Sequence, residues 1–466
     1  MTFTILGFKK RLSLIFNIVL KIIKNQKLIA FTLLTSFLAL SLLPFVPLQS
    51  YDNHNHQRIL QIILLLFLSV LMLVNINLSK KIKYLNIKII RPSILFIAFG
   101  VTSSVFSNEV GFAIFYTFHI TLLITVMSLT SLLSDKKFII SFIYALVIIH
   151  TSLVLVCLLN ILFTLFEQKP LNPYMIYSGF INIRFFNQVQ VFILPFLVLM
   201  LKFKSCQRII FIVLFLNLLL IFIGQARGAL LSFLVISFLG LTLKSRLKKQ
   251  ITIGLVCIAC AYVTFYGLDT LNQGGADITR TTTSGRIDLW LTTLSNLTFK
   301  NILIGNGPGI FEMSVGSSGP FSHPHNLLVE ILNEWGFIAL TCLLFTIIYT
   351  IKESISHIRK HKQDIVTEST FYALLIGFIY SFFSGVHVMP VSQTILFIIW
   401  GLLFGRINKK NEGNAHIKNY WKVIITALFI LGWCFYLYKA ICIYNNINLN
   451  NGYIYGPRFW SVGQRI

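Results

Sequence analysis

The feature that most constrains this chain is a succession of apolar runs of about 16 to 25 residues, each closed by a Lys/Arg cluster or by a polar, Gly- or Pro-bearing stretch. An α-helix needs roughly 20 residues to cross a bilayer, and inside the hydrocarbon every backbone N–H and C=O has to be satisfied within the segment. The runs therefore predict spans over 28–48, 59–78, 90–107, 110–133, 138–166, 188–201, 208–224, 228–243, 250–268, 326–351, 369–385, 390–405 and 421–443. Composition agrees, with 56% hydrophobic and 11% charged residues and a mean hydropathy of +0.80 over 466 residues. The expected fold class is all-α: a polytopic integral membrane protein of 12–13 transmembrane helices, one domain over residues 1–466.

Orientation follows from positive charge. With the N-terminus inside, 29 of the 39 Lys and Arg residues fall in cytoplasmic segments and 10 in external ones, as the positive-inside rule asks. The net charge of +25 is thus a topology signal. No nucleic-acid partner is expected, because the basic residues are scattered over short loops instead of gathered on one face. Residues 7–27, GFKKRLSLIFNIVLKIIKNQK, read as a retained amphipathic helix on the inner leaflet, with no small-residue cleavage site before the first span. The seven cysteines lie in spans or, for Cys206, in a cytoplasmic loop, so a disulfide framework is not expected. CIAC at Cys257 to Cys260 reads as small apolar residues on a helix rather than a redox pair.

Three external stretches break the apolar pattern: 167–190, the tight GQARGA turn, and the sizeable loop bounded at 269–325. An arginine at membrane depth costs about 2.5 to 3.5 kcal/mol at a helix centre. Arg227, in so short a turn, has to sit near the outer interface, where it fits either an anion at headgroup depth or a snorkelling interfacial role. Arg184 precedes the sixth span in RFFNQ, and Arg286 lies in SGRIDLW, where Asp288 and Trp290 stand to orient it. Each alone reads equally as a surface residue. Three guanidiniums at one membrane face point to phosphate or pyrophosphate, which Arg binds in bidentate fashion. GNGPG, Gly305 to Gly309, matches neither the Walker nor the dinucleotide pattern and reads as a tight turn.

The stretch SHPHNLLVEILNEWG, Ser322 to Gly336, places two histidines and two carboxylates at a span entrance in a chain with only 14 Asp and Glu. With Pro324 at the first helical position and His323 near the cap, His325 falls in the first turn. Asn326, Glu330, Asn333 and Phe337 then share a face, with Glu334 close by, and such a polar stripe has to face a water-filled cavity or other protein groups. A histidine there can take a proton from a hydroxyl near neutral pH, and it can equally cap or pack. His323 reads as structural. The HPH pair is an incomplete metal site, since the large loop at 269–325 holds no further His or Cys, so no metal or cofactor is expected.

Taken in order, RFFNQ, ARGALL, SGRIDLW, GNGPG and HNLLVEILNEWG before a long span resemble the O-antigen ligase and polymerase superfamily of bacterial envelope glycan enzymes, by motif over about 182–340 and by hydropathy layout over most of the chain. The resemblance implies a GT-C-like, metal-independent membrane glycosyltransferase of the bacterial inner membrane, with its active site facing the periplasm and 269–325 as the large periplasmic loop. It implies an undecaprenyl-pyrophosphate-linked glycan as donor, lipid A core or a growing glycan as acceptor, and membrane lipids as surroundings. By position, Arg227 and Arg286 look like the family's essential arginines, holding the pyrophosphate, and Arg184 like a third. His325 looks like the histidine that activates the acceptor hydroxyl for inverting attack, with Asn326 and Glu330 in support. One departure is that a thirteenth span puts the tail 444–466 outside, whereas superfamily ligases are usually described with twelve.

The leading expectation is an O-antigen ligase. An O-antigen polymerase needs the same donor chemistry. A protein O-oligosaccharyltransferase is disfavoured by the short tail. A transporter for lipid-linked sugars is disfavoured by polar groups gathered on one side and by the lack of an inverted repeat.

Overall fold

A computed structural model describes residues 25–43, 53–78, 82–84, 87–169, 171, 176–177, 180, 182–243, 245–271, 285–311, 322–408, 413–415, 419–445 and 458–460. Residues 7–24 of the amphipathic helix expected over 7–27, and the 272–284 and 312–321 parts of the large loop, with TRTTTS in the first, lie outside the described residues. The helices are α1 (Gln26–Leu42), α2 (Asn53–Leu78), α3 (Ile87–Val105), α4 (Val110–Leu132), α5 (Lys136–Phe166), α6 (Ile183–Met200), α7 (Gln207–Ile223), α8 (Arg227–Thr242) and α9 (Lys248–Leu271). Two short helices follow in the loop, α10 (Arg286–Ser295) and α11 (Phe299–Ile304), and then α12 (Leu327–Lys360), α13 (Ile365–Ser381), α14 (Pro390–Ile407) and α15 (Asn419–Asn445). Two three-residue strands, β1 (Ile82–Tyr84) and β2 (Gly413–Ala415), pair antiparallel.

Among the described residues, eight helices are long and apolar enough to cross a membrane, and five shorter apolar helices, α1, α3, α7, α8 and α13, complete the set. Every span expected from the sequence coincides with one of these thirteen. Their boundaries shift by a few residues, because hydropathy marks the greasy stretch while caps mark the helix. Asp135 caps α5 by accepting from the Phe138 amide at 2.8 Å, and Asp364 caps α13 through Thr367.

Periodicity could not say which helices are central. The apolar window of α6 is 94% buried and that of α14 83%, whereas that of α15 is 11% buried, so α6 and α14 form the middle of the bundle and α15 its flank. Close crossings occur where side chains are smallest. On α14, Gly401 and Gly405 form a GLLFG stripe, and a Cβ at these positions would come within 2.1 Å of Thr130 Oγ1 and 1.9 Å of Ser134 Oγ on and beside α4. The polar run of RFFNQVQ also works between helices. Gln190 Nε2 donates to the Asn217 carbonyl of α7 at 2.8 Å, and Gln188 Nε2 donates to Ser384 Oγ at 2.9 Å. In a low-dielectric interior these amides are satisfied by neighbouring helices, as buried polar groups require.

The long helix α12 breaks at Gly336, which has φ 83° and ψ 173°. The GNGPG turn fills the break. Backbone amides of Asn306 and Gly307 donate to the carbonyls of Asn333 and Glu334 at 2.8 and 3.0 Å, and those of Gly309 and Phe311 donate to the Glu334 carboxylate at 2.8 and 3.0 Å. The turn does hold an anion, and the anion is the protein's own carboxylate. A Cβ at Gly336 would meet the Leu303 carbonyl oxygen at 2.4 Å and the Gly305 nitrogen at 2.7 Å, both unyielding backbone atoms. Replacing Gly336 by alanine is therefore expected to lower the thermal unfolding midpoint of the purified protein sharply. The left-handed φ alone costs about 1–3 kcal/mol, and an unchanged midpoint would remove this account of the kink.

Candidate functional site

The three sequence-predicted arginines open three helices. Arg227 is the first residue of α8, Arg286 the first of α10, and Arg184 the second of α6. A cation at a helix N-terminus opposes the helix dipole, at a cost of about 0.3–1 kcal/mol each. Helix ends that point amides outward, each bearing a guanidinium, make an arrangement suited to anions. Arg184 Nη1 donates to the carbonyls of Gly224 and Gln225 at 2.9 and 3.0 Å, which ties the start of α6 to the GQAR turn. Gln225 there has a left-handed φ of 48°, a strained geometry that turns the chain straight into α8. Gly228 lets α8 approach the end of α13, where a Cβ would lie 3.1 Å from Tyr380 and Phe383. Arg286 Nη1 donates to the Phe383 carbonyl at 2.6 Å, so the loop helix α10 docks on the same end of α13.

These contacts bring the three guanidiniums together. Burial first, and then the charges of Arg184 and Arg227, pull the Arg286 pKa below its ordinary value, with Tyr380 opposing. Arg227 is exposed, and Arg184 and Arg286 are half-buried. Trp290 does not orient Arg286 as expected from sequence. Its Nε1 donates to the Pro324 carbonyl at 2.7 Å and anchors α10 to the histidine loop, while Asp288 is exposed.

The histidine loop differs from the expected helix start. α12 begins at Leu327, not at Pro324, and Asn326 is its cap, its Oδ1 accepting from the amides of Leu328 and Val329 at 2.9 and 3.3 Å. Asn326 thus acts on the helix terminus. His325 stands just before the cap with a left-handed φ of 55°, and its amide donates to His323 Nδ1 at 3.2 Å. His323 is buried against Gly385, where a Cβ would lie 2.5 Å from its ring, which agrees with the structural role read from sequence. Burial, followed by the Arg286 guanidinium, holds the His325 pKa down at about 3, with Glu330 pulling the other way and His387 and Arg184 adding to the depression. His325 therefore lies within the electrostatic reach of two of the three arginines, of Glu330 and of His387, as a neutral imidazole.

Of the expected polar stripe, Glu330, Asn333 and Glu334 are buried and face protein, whereas Phe337 is exposed. Glu330 Oε2 lies 3.0 Å from His387 Nε2, and Glu330 Oε1 lies 3.1 Å from Arg458 Nη2. Arg458 also pairs with Glu334. Arg58, five residues into α2, is fully buried and donates to the carbonyls of Val388, Arg458 and Phe459, each at 2.8 Å. Reading the sequence missed His387, Arg58 and Arg458. A signal was present for Arg58: a cation inside an apolar helix is costly and needs a partner. His387 and Arg458 sit in stretches with no periodic pattern, so only folding brings them to Glu330. Among the described residues, no group of three or more His, Cys, Asp or Glu could hold a metal ion.

From Glu330 and His387 an apolar crevice of about 90 Å³ runs between α3, α4, α12 and α14, lined by Phe96, Ile124, Trp335 and Trp400 among others.

Helices and polar centre together define a multi-pass, predominantly helical membrane protein in which Arg184, Arg227, Arg286, His325 and the Glu330 network lie near one another. Residues 212–344 match the model of the O-antigen ligase family, and to that extent the chain is similar to it. Members of that family are membrane glycosyltransferase-type enzymes. The matched segment takes in Arg227, Arg286, GNGPG, His325 and Glu330, while Arg184, His387, Arg58 and Arg458 lie outside it. No curated protein matches the chain.

Proposed function

We propose that this protein is an O-antigen ligase: it transfers a glycan from undecaprenyl pyrophosphate to lipid A core at the periplasmic face of the inner membrane, with inversion and without a metal. The observation that carries this reading is the convergence of Arg184, Arg227 and Arg286, from three helix N-termini, beside the neutral His325. Positive charge fixed where a pyrophosphate leaves is what the bond-breaking half of the reaction needs. A base held next to that site serves the bond-forming half.

In the proposed step the acceptor hydroxyl oxygen attacks the anomeric carbon as the bond to the pyrophosphate oxygen breaks. The hydroxyl proton passes to the His325 imidazole, and the negative charge that develops on the leaving group is taken up by Arg227 and Arg286, with Arg184 behind them. His325 is a poor base while the guanidiniums face it uncompensated. Burial is the larger cause of that low basicity; a bound pyrophosphate offsets the guanidinium contribution and raises the basicity of His325 in part, so the donor favours the base that its own transfer requires. The apolar crevice beside Glu330 accommodates part of a lipid chain, which holds the reacting head at the bundle end.

The test is a lipopolysaccharide gel from a strain that lacks the gene. Bare core with accumulating lipid-linked long polymer is the expected result. Core carrying a single repeat unit would assign the protein to polymerisation on the lipid carrier, and an unaltered glycan profile would count against both.

A further inference from the structure

Beyond α15, Arg458, Phe459 and Trp460 return to the bundle end that holds the arginines and His325. Arg458 is fully buried. Its Nη1 donates to the Ser322 carbonyl at 2.6 Å, at the start of the histidine loop, and its Nη2 reaches Glu330 at 3.1 Å and Glu334. The carbonyls of this short segment are taken up by α2: Arg58 donates to both Arg458 and Phe459, and its guanidinium carbon stands 4.6 Å over the Phe459 ring. The Phe459 ring packs edge-on against Phe115 and His119, at centroid separations of 4.7 and 5.2 Å, and Trp460 packs on Tyr444 at 5.1 Å.

We propose that the segment Arg458–Trp460 is a positioning strap for the transfer step: Arg458 fixes the Glu330 carboxylate, Glu330 sets the His387 ring, and the pair defines the surroundings of His325. This rests on the glycosyl-transfer reading above. Two carboxylates one helical turn apart in a desolvated site repel each other, and the Arg458 fork is the cation that lies between them. A tail could be seated by apolar rings alone, which Phe459 and Trp460 already supply. The buried guanidinium adds orientation, with one nitrogen committed to the loop backbone and the other to the carboxylates, so that loop and α12 are held in one register. Glu330 divides its two oxygens between Arg458 and His387, and the chain of contacts runs on from His387 O, which accepts from Gln393 Nε2 at 2.7 Å. Arg458 acts through Glu330 and the histidine loop; it is a positioning residue.

The experiment uses the full chain, purified in lipid nanodiscs, with Arg458→Gln, Arg458→Lys, His387→Asn and the Arg458→Gln/His387→Asn double variant. Transfer kinetics are measured beside thermal midpoints and beside the rates at which diethyl pyrocarbonate modifies His325 and His387, followed by mass spectrometry. Arg458→Gln is expected to lower kcat about 100-fold with donor KM within about twofold, since misplacement of a reacting group falls on the chemical step. Arg458→Lys keeps the charge without the fork and is expected to recover to within about tenfold of wild type. The double variant is expected to be no worse than about twofold below the lower single, because both act through Glu330. Modification of the two histidines is expected to quicken in Arg458→Gln at equal folded fraction. Unchanged kcat and unchanged modification in folded Arg458→Gln, or losses that multiply in the double variant, would overturn the strap. If Arg458→Gln does not fold, Arg458→Lys decides, and wild-type kinetics and labelling there would overturn it. A wild-type protein without transfer activity would remove the functional reading, and the labelling rates alone would then decide the strap.

Discussion

Replacing His325 by alanine is expected to lower glycan transfer by about 10²–10⁴-fold, the range that a positioned general base contributes. Membrane insertion and donor binding are expected to persist, because the side chain of His325 caps no helix; Asn326 does that. The pH dependence separates this role from a packing one. With its pKa held at about 3 in the free protein, His325 leaves no acid limb in kcat/KM near neutral pH. Once the donor anion compensates the arginines, the proton is bound more readily, so the acid limb of kcat is expected at higher pH than that of kcat/KM. The same depression has a sign for stability. The unfolded imidazole takes up a proton near pH 6.5 and the folded one near 3, so the folded form binds fewer protons between these values. The stability that His325 contributes is fully present above pH 6.5 and is lost as pH falls toward 3, and His323, depressed in the same direction by burial first, adds to it. A stable His325→Ala protein with wild-type turnover would sink the base assignment.

The second large effect is expected at the arginines. Arg286→Ala should lower kcat by about 10²–10³-fold, as loss of one preorganised group at a developing negative charge typically does. Arg227→Ala combined with Arg286→Ala should abolish measurable binding of the lipid-linked pyrophosphate donor. Arg286→Lys is not a conservative change at this site, because Arg286 commits Nη1 to the Phe383 carbonyl and keeps further N–H donors on its fork, and a lysine has no second arm. Donor affinity retained by the double alanine variant would sink the pyrophosphate role.

Much of the architecture was legible before any coordinates. Thirteen apolar stretches gave thirteen apolar helices, because a bilayer imposes a length and a composition that survive in sequence whatever the tertiary packing. The helix order, the close-packed GNGPG turn and the structural role of His323 were legible for a similar reason: each rests on local chemistry. Arg184, Arg227, Arg286 and His325 could be singled out because they stand where an apolar chain has no cheap reason to put them. Less could be read where local rules compete. The start of α12 was set three residues too early, since Pro324 suits a first helical position, yet the Asn326 side chain offers the better cap and His325 turns left-handed before it. Trp290 looked like a companion of Arg286, and it holds the Pro324 carbonyl instead.

By itself the sequence determined that this is a helical membrane protein, which way positive charge biases it, and which few charged side chains call for a functional explanation. Only the tertiary structure decided that α6 and α14 lie at the centre while α15 flanks them, that Glu330 is divided between His387 and Arg458, and that Arg58 anchors a segment 400 residues away. The physical reason is that hydropathy and capping act over one helix or one turn, whereas a buried charge is stabilised by whichever partner the fold delivers, at any separation along the chain.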